Sequence, residues 1–223
     1  MPKPTFFNLP DAKRDRLVDL AIDEFAAHPY RQASLSRIVA AAGIAKGSVY
    51  QYFDNKLDLY TWLVTEEMVR RKLAAIATGA PAPGASIWDT LRAAFLAGFH
   101  FAMAEPRLTA LGTHLLRDGG DPELQPLVAS HRTAAHAWMT HLLTTAQQQG
   151  EVRADLDLDT TATLLAQTLG EGMLHVLARR LGVDLPTYLA NPAIAEQLSD
   201  DEVLALVDSA LDFLRGGLAA REA

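Results

Sequence analysis

Apolar residues return every three or four positions through most of the chain, the spacing that lines one face of a helix. Alternation of apolar with polar residues at strand spacing is never sustained beyond a few positions. The first helix is predicted from about Pro10 to Ala27, with proline in its opening turn and Leu17, Leu20, Ala21, Ile22 and Phe25 on one face. His28 and Pro29 end it. Ser34 is a good N-cap for a second helix that buries Leu35, Ile38, Val39 and Ala42, and Gly43 supplies the left-handed turn that stops it. A short third helix is expected from about Ala45 to Tyr52, and a fourth from near Asn55 past Arg70, Arg71 and Lys72. The run from Thr78 to Ser86, TGAPAPGAS, is the strongest break in the chain. Longer helices follow at about 86–104, 107–117, 123–149, 158–181 and 199–217, the last opened by a capping box over Ser199–Glu202. The expectation is an all-α fold of about nine helices.

Charge sharpens this picture. The chain of 223 residues carries a net charge of −7, which by itself disfavours a nucleic-acid partner. Its distribution does not: residues 31–56 hold Arg31, Arg37, Lys46 and Lys56 against Asp54 alone, a net of +3. A small basic segment on an acidic body suits one DNA-contacting surface. With no cysteine, disulfides, thiolate metal sites and cysteine nucleophiles are excluded. No apolar run reaches the ~20 residues that span a bilayer, and no secretory leader is evident, so a cytoplasmic location is expected.

The stretch SLSRIVAAAGIAKGSVYQYFDNKLDLY, Ser34 to Tyr60, carries the chemistry. Two short helices joined at Gly43 are the minimum unit for placing one of them in a major groove. Ile44, Val49 and Phe53 would fix the second helix from inside. Lys46, Gly47, Ser48, Tyr50, Gln51 and Tyr52 are then left outward. Gly47 allows close backbone approach, Lys46 and Gln51 can reach base edges, and Ser48, Tyr50 and Tyr52 can donate to phosphates. Lys56 opens the next helix, where an ammonium group and free N–H groups can meet the same strand.

These residues resemble the TetR/AcrR regulators. The likeness rests on an aromatic closing the first helix, then Ser34, Ile38, Ala42-Gly43-Ile44, Lys46-Gly47-Ser48, Tyr50-Gln51-Tyr52-Phe53 and Lys56, and covers roughly residues 10–62. Ala45 departs from it, since Ser or Thr is common there and would supply a cap or phosphate contact. The resemblance implies a helix-turn-helix DNA-binding domain over 1–54 and a linking helix over about 55–77. It also implies a C-terminal helical domain, within 55–223, that binds a small effector and dimerises. Carried over by position, Lys46, Gly47, Ser48, Tyr50, Tyr52 and Lys56 are DNA contacts, with Ser34 and Arg37 near the flanking backbone.

For the C-terminal part, Trp88, Phe95, Phe99, Met103, Trp138, Met139 and Met173 are candidates to line an apolar effector pocket. His100, His114, Gln167 and His175 are its candidate polar groups. The last two long helices are apolar over a wide arc, and Gly172 permits close approach. By resemblance they form a four-helix homodimer interface through Leu165, Leu169, Gly172, Val176, Leu206, Ala210 and Leu214. His131, His136 and His141, five apart, do not stack on one helix face, so no metal is expected, and no cofactor or catalytic motif emerges. The expected partners are double-stranded DNA bearing a palindromic operator, a small effector of unknown identity and a second copy of the chain. The competing expectation is a helical small-molecule carrier whose N-terminal motif no longer reads DNA.

Overall fold

Every named element of the computed structural model is helical. Among the residues it describes, 1–45, 47–77, 81–82 and 84–219, the only β-type pairing is an isolated bridge between Val152 and Ala219. None of the helices there is long and apolar enough to cross a membrane. Contacts divide the chain into two units, Met1–Leu73 with Glu105–Val128, and Ala74–Ala104 with Ala129–Ala223.

The first unit begins with a single helical turn, α1 (Pro4–Phe7), which the hydrophobic pattern does not announce. Helix α2 (Asp11–Ala27) buries Leu17, Val18, Ala21, Ile22 and Phe25, a stripe at helical spacing. Helix α3 (Leu35–Ala42) ends at Gly43, whose φ of 68° is the left-handed cap that a side chain would disfavour. Ser34 sits at the cap position in extended conformation, but its side chain makes no capping hydrogen bond. Instead its backbone N–H donates to the Glu24 carboxylate at 2.7 Å.

The expected third helix is only a 3-10 turn, Ser48–Gln51. Gly47, Ser48, Val49 and Tyr50 are weak helix formers, and a segment this short holds its shape through packing rather than propensity. Helix α4 (Lys56–Trp62) is capped by Asn55, which accepts from the Asp58 N–H at 2.9 Å. It runs through a π-turn (Leu63–Glu67) into α5 (Met68–Ala77). Glu67 is buried there, yet it accepts from both Arg70 (2.7 Å) and Arg71 (2.7 Å), so its charge is compensated. Helix α7 (Pro106–Arg117) packs on α2, burying Leu108, Leu111 and Leu115, and Arg107 reaches Asp23 at 2.6 Å.

The second unit contains α6 (Ile87–Ala104) and most of α8 (Gln125–Gln148), whose first residues belong to the first unit. It continues with α9 (Leu158–Gln167) and α10 (Met173–Arg180), joined through a π-turn that is kinked at Gly170, where φ is −84° and ψ −115°. Helix α12 (Asp200–Leu218) opens on the expected capping box of Ser199 and Glu202 and packs along α6, where Arg92 meets Asp208 at 2.8 Å. A further helix, α11 (Leu185–Ala190), fills what the sequence suggests is a connection. Pro186 looks like a breaker but stands in the first turn, behind an Asp184 cap, where proline is tolerated. Leu185 and Tyr188 then anchor it in the core.

Tyr188 is fully buried, its hydroxyl donates to the Ala102 carbonyl at 3.0 Å, and burial pushes its pKa up to about 12. Tyr188→Phe keeps the ring and loses only this bond, for an expected cost of about 1 kcal/mol. Tyr188→Ala also opens a cavity, for about 3–5 kcal/mol. Urea titrations of the two variants followed by circular dichroism check the ordering, and a Tyr188→Phe variant as stable as the unmodified chain would show that the hydroxyl does not hold α11.

Candidate nucleic-acid interface

The turn over Ser48–Gln51 is built from backbone bonds spanning three residues: Ser48 N–H to Ala45 (2.8 Å), Tyr50 to Gly47 (3.3 Å) and Tyr52 to Val49 (3.0 Å). Val49 and Phe53 are its anchors, each 1 % exposed. The Phe53 ring lies 5.8 Å from that of Trp62 and 5.0 Å from that of Phe6. With its inner side held this way, the turn leaves Gly47, Tyr50 and Gln51 exposed and Ser48 and Tyr52 half-buried. Lys46, the remaining expected contact on this face, lies outside the described residues.

Gly47 has φ −73° and ψ −18°, a conformation any residue adopts. A Cβ built there meets no atom within 4 Å. Neither backbone strain nor packing in this unit requires glycine at 47, unlike Gly43.

Two expected contacts are tied into the fold. The Lys56 ammonium donates to the carbonyls of Tyr30 (2.7 Å) and Ala33 (3.1 Å) and stands 4.4 Å from the Tyr30 ring centroid. Desolvation is the main influence on it and lowers its pKa. Two of its three donors thus join the α2–α3 turn to the start of α4. Arg37 forks onto Glu24, its Nε 3.0 Å from both carboxylate oxygens, and reaches the Gln32 carbonyl at 2.7 Å. Burial acts to raise the Glu24 pKa, but Arg37, the Ser34 N–H and His28 together outweigh it and hold the carboxyl below its usual value. Ser34 and Arg37 therefore meet on one carboxylate of α2, a fastener that residue spacing does not reveal. At the other end of the α2–α3 turn, Arg31 pairs with Asp121 at 2.7 Å and the Tyr30 N–H donates to Asp118 at 3.1 Å.

The expected effector residues separate into groups. Phe95, Phe99, Met139 and Met173 share the buried core of the second unit, with Trp88 and Met103 half-buried against it. Arg215 stacks over Trp88 at 5.3 Å. Trp138 is 46 % exposed, and His100, Gln167 and His175 lie at the surface, His175 facing Glu171 at 3.4 Å. His114 belongs to the first unit, where its Nε2 lies 3.1 Å from the Ala26 carbonyl oxygen. A cleft of about 220 Å³ between α2 and α3, bordered by Leu20, Glu24, Arg37 and Ala41, contains none of these residues. Of the expected interface, Leu165 is buried, Leu169, Leu206, Ala210 and Leu214 are half-buried against the core, and Val176 is 40 % exposed. A Cβ at Gly172 would come within 3.2 Å of the Gln167 carbonyl oxygen. Among the described residues of this unit, the most exposed large apolar side chains are Phe213 (83 %) and Leu164 (63 %), neither of them among the expected interface residues.

The chain is similar in sequence and fold to known proteins. Residues 17–61 match the family described as bacterial regulatory proteins, tetR family. A crystal structure of a TetR family transcriptional regulator from Chloroflexus aurantiacus is 31 % identical, with 99 % of this chain and 100 % of that one covered and a TM-score of 0.78. The probable acrEF/envCD operon repressor of Escherichia coli (strain K12) is 26 % identical over 193 residues, 83 % of this chain and 84 % of that protein. The transcriptional regulator FadR of Bacillus subtilis, solved with stearoyl-CoA, shares the fold at 22 % identity and a TM-score of 0.69, covering 91 % of this chain and 98 % of that one.

The Glu24 fastener makes a pH prediction. A carboxyl whose folded pKa lies below its ordinary 4.5 contributes stability that is complete above that value and lost as pH falls through the folded pKa. The stability gap between the unmodified chain and Glu24→Gln is therefore expected to be constant from neutral pH down to about 5 and to shrink below it. Urea midpoints measured across this range check the window; a gap that stays constant to pH 3 would show that the carboxylate charge is not what Ser34 and Arg37 hold.

Proposed function

The chain belongs to the TetR family of bacterial transcriptional regulators, and from that premise we propose that it is a repressor released from a palindromic operator by a small, mostly apolar effector. The observation that carries the DNA part is the turn at 47–52, anchored beneath by Val49 and Phe53 and open above at Gly47, Tyr50 and Gln51. A duplex approaching this face meets hydroxyl and amide donors, with no side chain at 47 to hold the backbones apart. Such an outside requirement accounts for a glycine that the fold does not need. Lys46, by its place in the sequence, adds the cation that phosphates or a guanine edge attract.

Two copies joined through α9, α10 and α12 would present two such turns to successive major grooves, about 34–36 Å apart. Leu164, Val176 and Phe213 support that arrangement as apolar surface in want of cover. An effector can release the DNA only by binding one conformation of the dimer better than another. The aromatic and methionine-rich core of the second unit favours a lipophilic ligand, and the FadR complex with stearoyl-CoA is an instance of such a ligand on this fold. Residues 1–54 would act as the DNA-binding domain, with the helical segment from Lys56 to Ala77 linking it to the effector-binding and dimerisation domain. The carrier alternative has no comparable support: it leaves both Gly47 and the open face of the turn without a purpose.

Gel-shift titration on the DNA upstream of its own gene tests the reading. Lys46→Ala with Tyr50→Ala is expected to abolish binding without loss of helicity. Gly47→Ala is expected to hold or raise thermal stability, by roughly 0.5–1 kcal/mol, because it restricts the unfolded chain. The same change is expected to weaken DNA binding by about 1–3 kcal/mol. Unchanged binding by these variants would refute the assignment. For assembly, Leu164→Glu with Phe213→Asp is expected to yield monomers in sedimentation velocity, and a persistent dimer would place the interface elsewhere.

A further inference from the structure

A 3-10 turn of four residues leaves the carbonyls at its end without partners inside the turn. Here the three consecutive carbonyls of Tyr50, Gln51 and Tyr52 are all taken by one short segment. The Lys3 ammonium donates to Tyr50 at 2.8 Å, the Thr5 hydroxyl donates to Gln51, and the Lys3 backbone N–H donates to Tyr52 at 2.8 Å. The Lys3 ammonium also pairs with Asp54 at 2.7 Å, just past the turn. On the inner side Phe6, 1 % exposed, fills the space between Tyr52 (6.4 Å between centroids), Phe53 (5.0 Å) and Trp62 (5.1 Å). The turn is thus gripped from two directions by three residues, Lys3, Thr5 and Phe6, nearly fifty positions away in the chain.

We infer that residues 3–6 are a positioning clasp for the DNA-contacting turn, with Lys3 and Phe6 as its two working parts. The inference rests on the DNA-binding reading above and adds to it the device that gives a weakly helical segment one conformation. Intrinsic propensity does not supply that order: residues 47–52 contain glycine, a β-branched residue and two aromatics, and make too few internal bonds to be stable alone. Lys3 acts on DNA through the carbonyls of Tyr50 and Tyr52 rather than as a phosphate ligand, because its ammonium is committed to Tyr50 and Asp54. Phe6 acts by closing the aromatic wall against which Tyr52 and Phe53 are set, which fixes the tilt of Tyr50 and Gln51.

The test measures DNA affinity, its salt dependence and the thermal midpoint for the full-length chain, using the upstream DNA as probe. Phe6→Ala is expected to weaken binding about tenfold at temperatures well below its midpoint, and Phe6→Leu to recover most of the loss. Leu111→Ala, a core change on α7, is the comparison: it is expected to lower the midpoint at least as far while leaving affinity within about threefold. Lys3→Met is expected to weaken binding about threefold with no change in the slope of log affinity against log salt. Phe6→Ala binding as tightly as the unmodified chain would overturn the clasp. So would a slope reduced by about one in Lys3→Met, because that is the signature of a lost phosphate contact. If the unmodified chain binds no duplex at all, the DNA reading falls first and the clasp with it, a result distinct from either of those.

Discussion

The structure depends on how a few residues with little helical preference are held as an ordered, exposed turn. Val49 and Phe53 do this by burial, and the Phe53 ring is set against Phe6 and Trp62, whose ring centroids lie 5.1 Å apart. Aromatic contacts at these spacings add to the hydrophobic gain of burying the rings and fix their relative angles. The outward residues, Gly47, Tyr50 and Gln51 with the flanks of Ser48 and Tyr52, stand over that cluster. The turn takes its shape from what it covers.

Around this centre, two carboxylates, half-buried at Glu24 and buried at Glu67, act as fasteners. Glu24 gathers the Ser34 N–H and the Arg37 guanidinium, locking the start of α3 to α2. Glu67 gathers Arg70 and Arg71, and Arg71 continues to Asp19 and Glu105, both at 3.3 Å. Removing one partner of such a group leaves an uncompensated buried charge, which makes the geometry specific even where the net gain in stability is small. Lys56 plays a related part with carbonyls in place of carboxylates.

Much of this was legible in the sequence because it is written in periodicity and caps. The stripe of Leu17, Ala21, Ile22 and Phe25, the stop at Gly43 and the capping box at Ser199 each depend on residues within a turn or two of one another. The residues that escaped are those whose meaning depends on contacts remote in sequence. Phe6 reads as one aromatic near a terminus until Phe53 and Trp62 are beside it. Glu24 reads as a polar position on an amphipathic helix, and Lys56 as a free cation. Helix α11 was hidden by Pro186, whose effect depends on whether it stands first or later in a turn. Phe213 lies off the stripe through Leu206, Ala210 and Leu214, and periodicity marks that stripe without marking what is left outside it. Residue type alone points to the effector candidates, and type does not distinguish a core position such as Phe99 from a surface one such as His100.

One proposal underlies the others: the turn at 47–52 is ordered in the free chain and is the surface that would meet DNA. Hydrogen exchange read by mass spectrometry, with and without duplex, addresses it directly. The expected result is added protection confined to peptides covering residues 45–56 and their immediate flank, with the core of the second unit unchanged. Protection falling elsewhere, with 45–56 exchanging as fast as before, would contradict it.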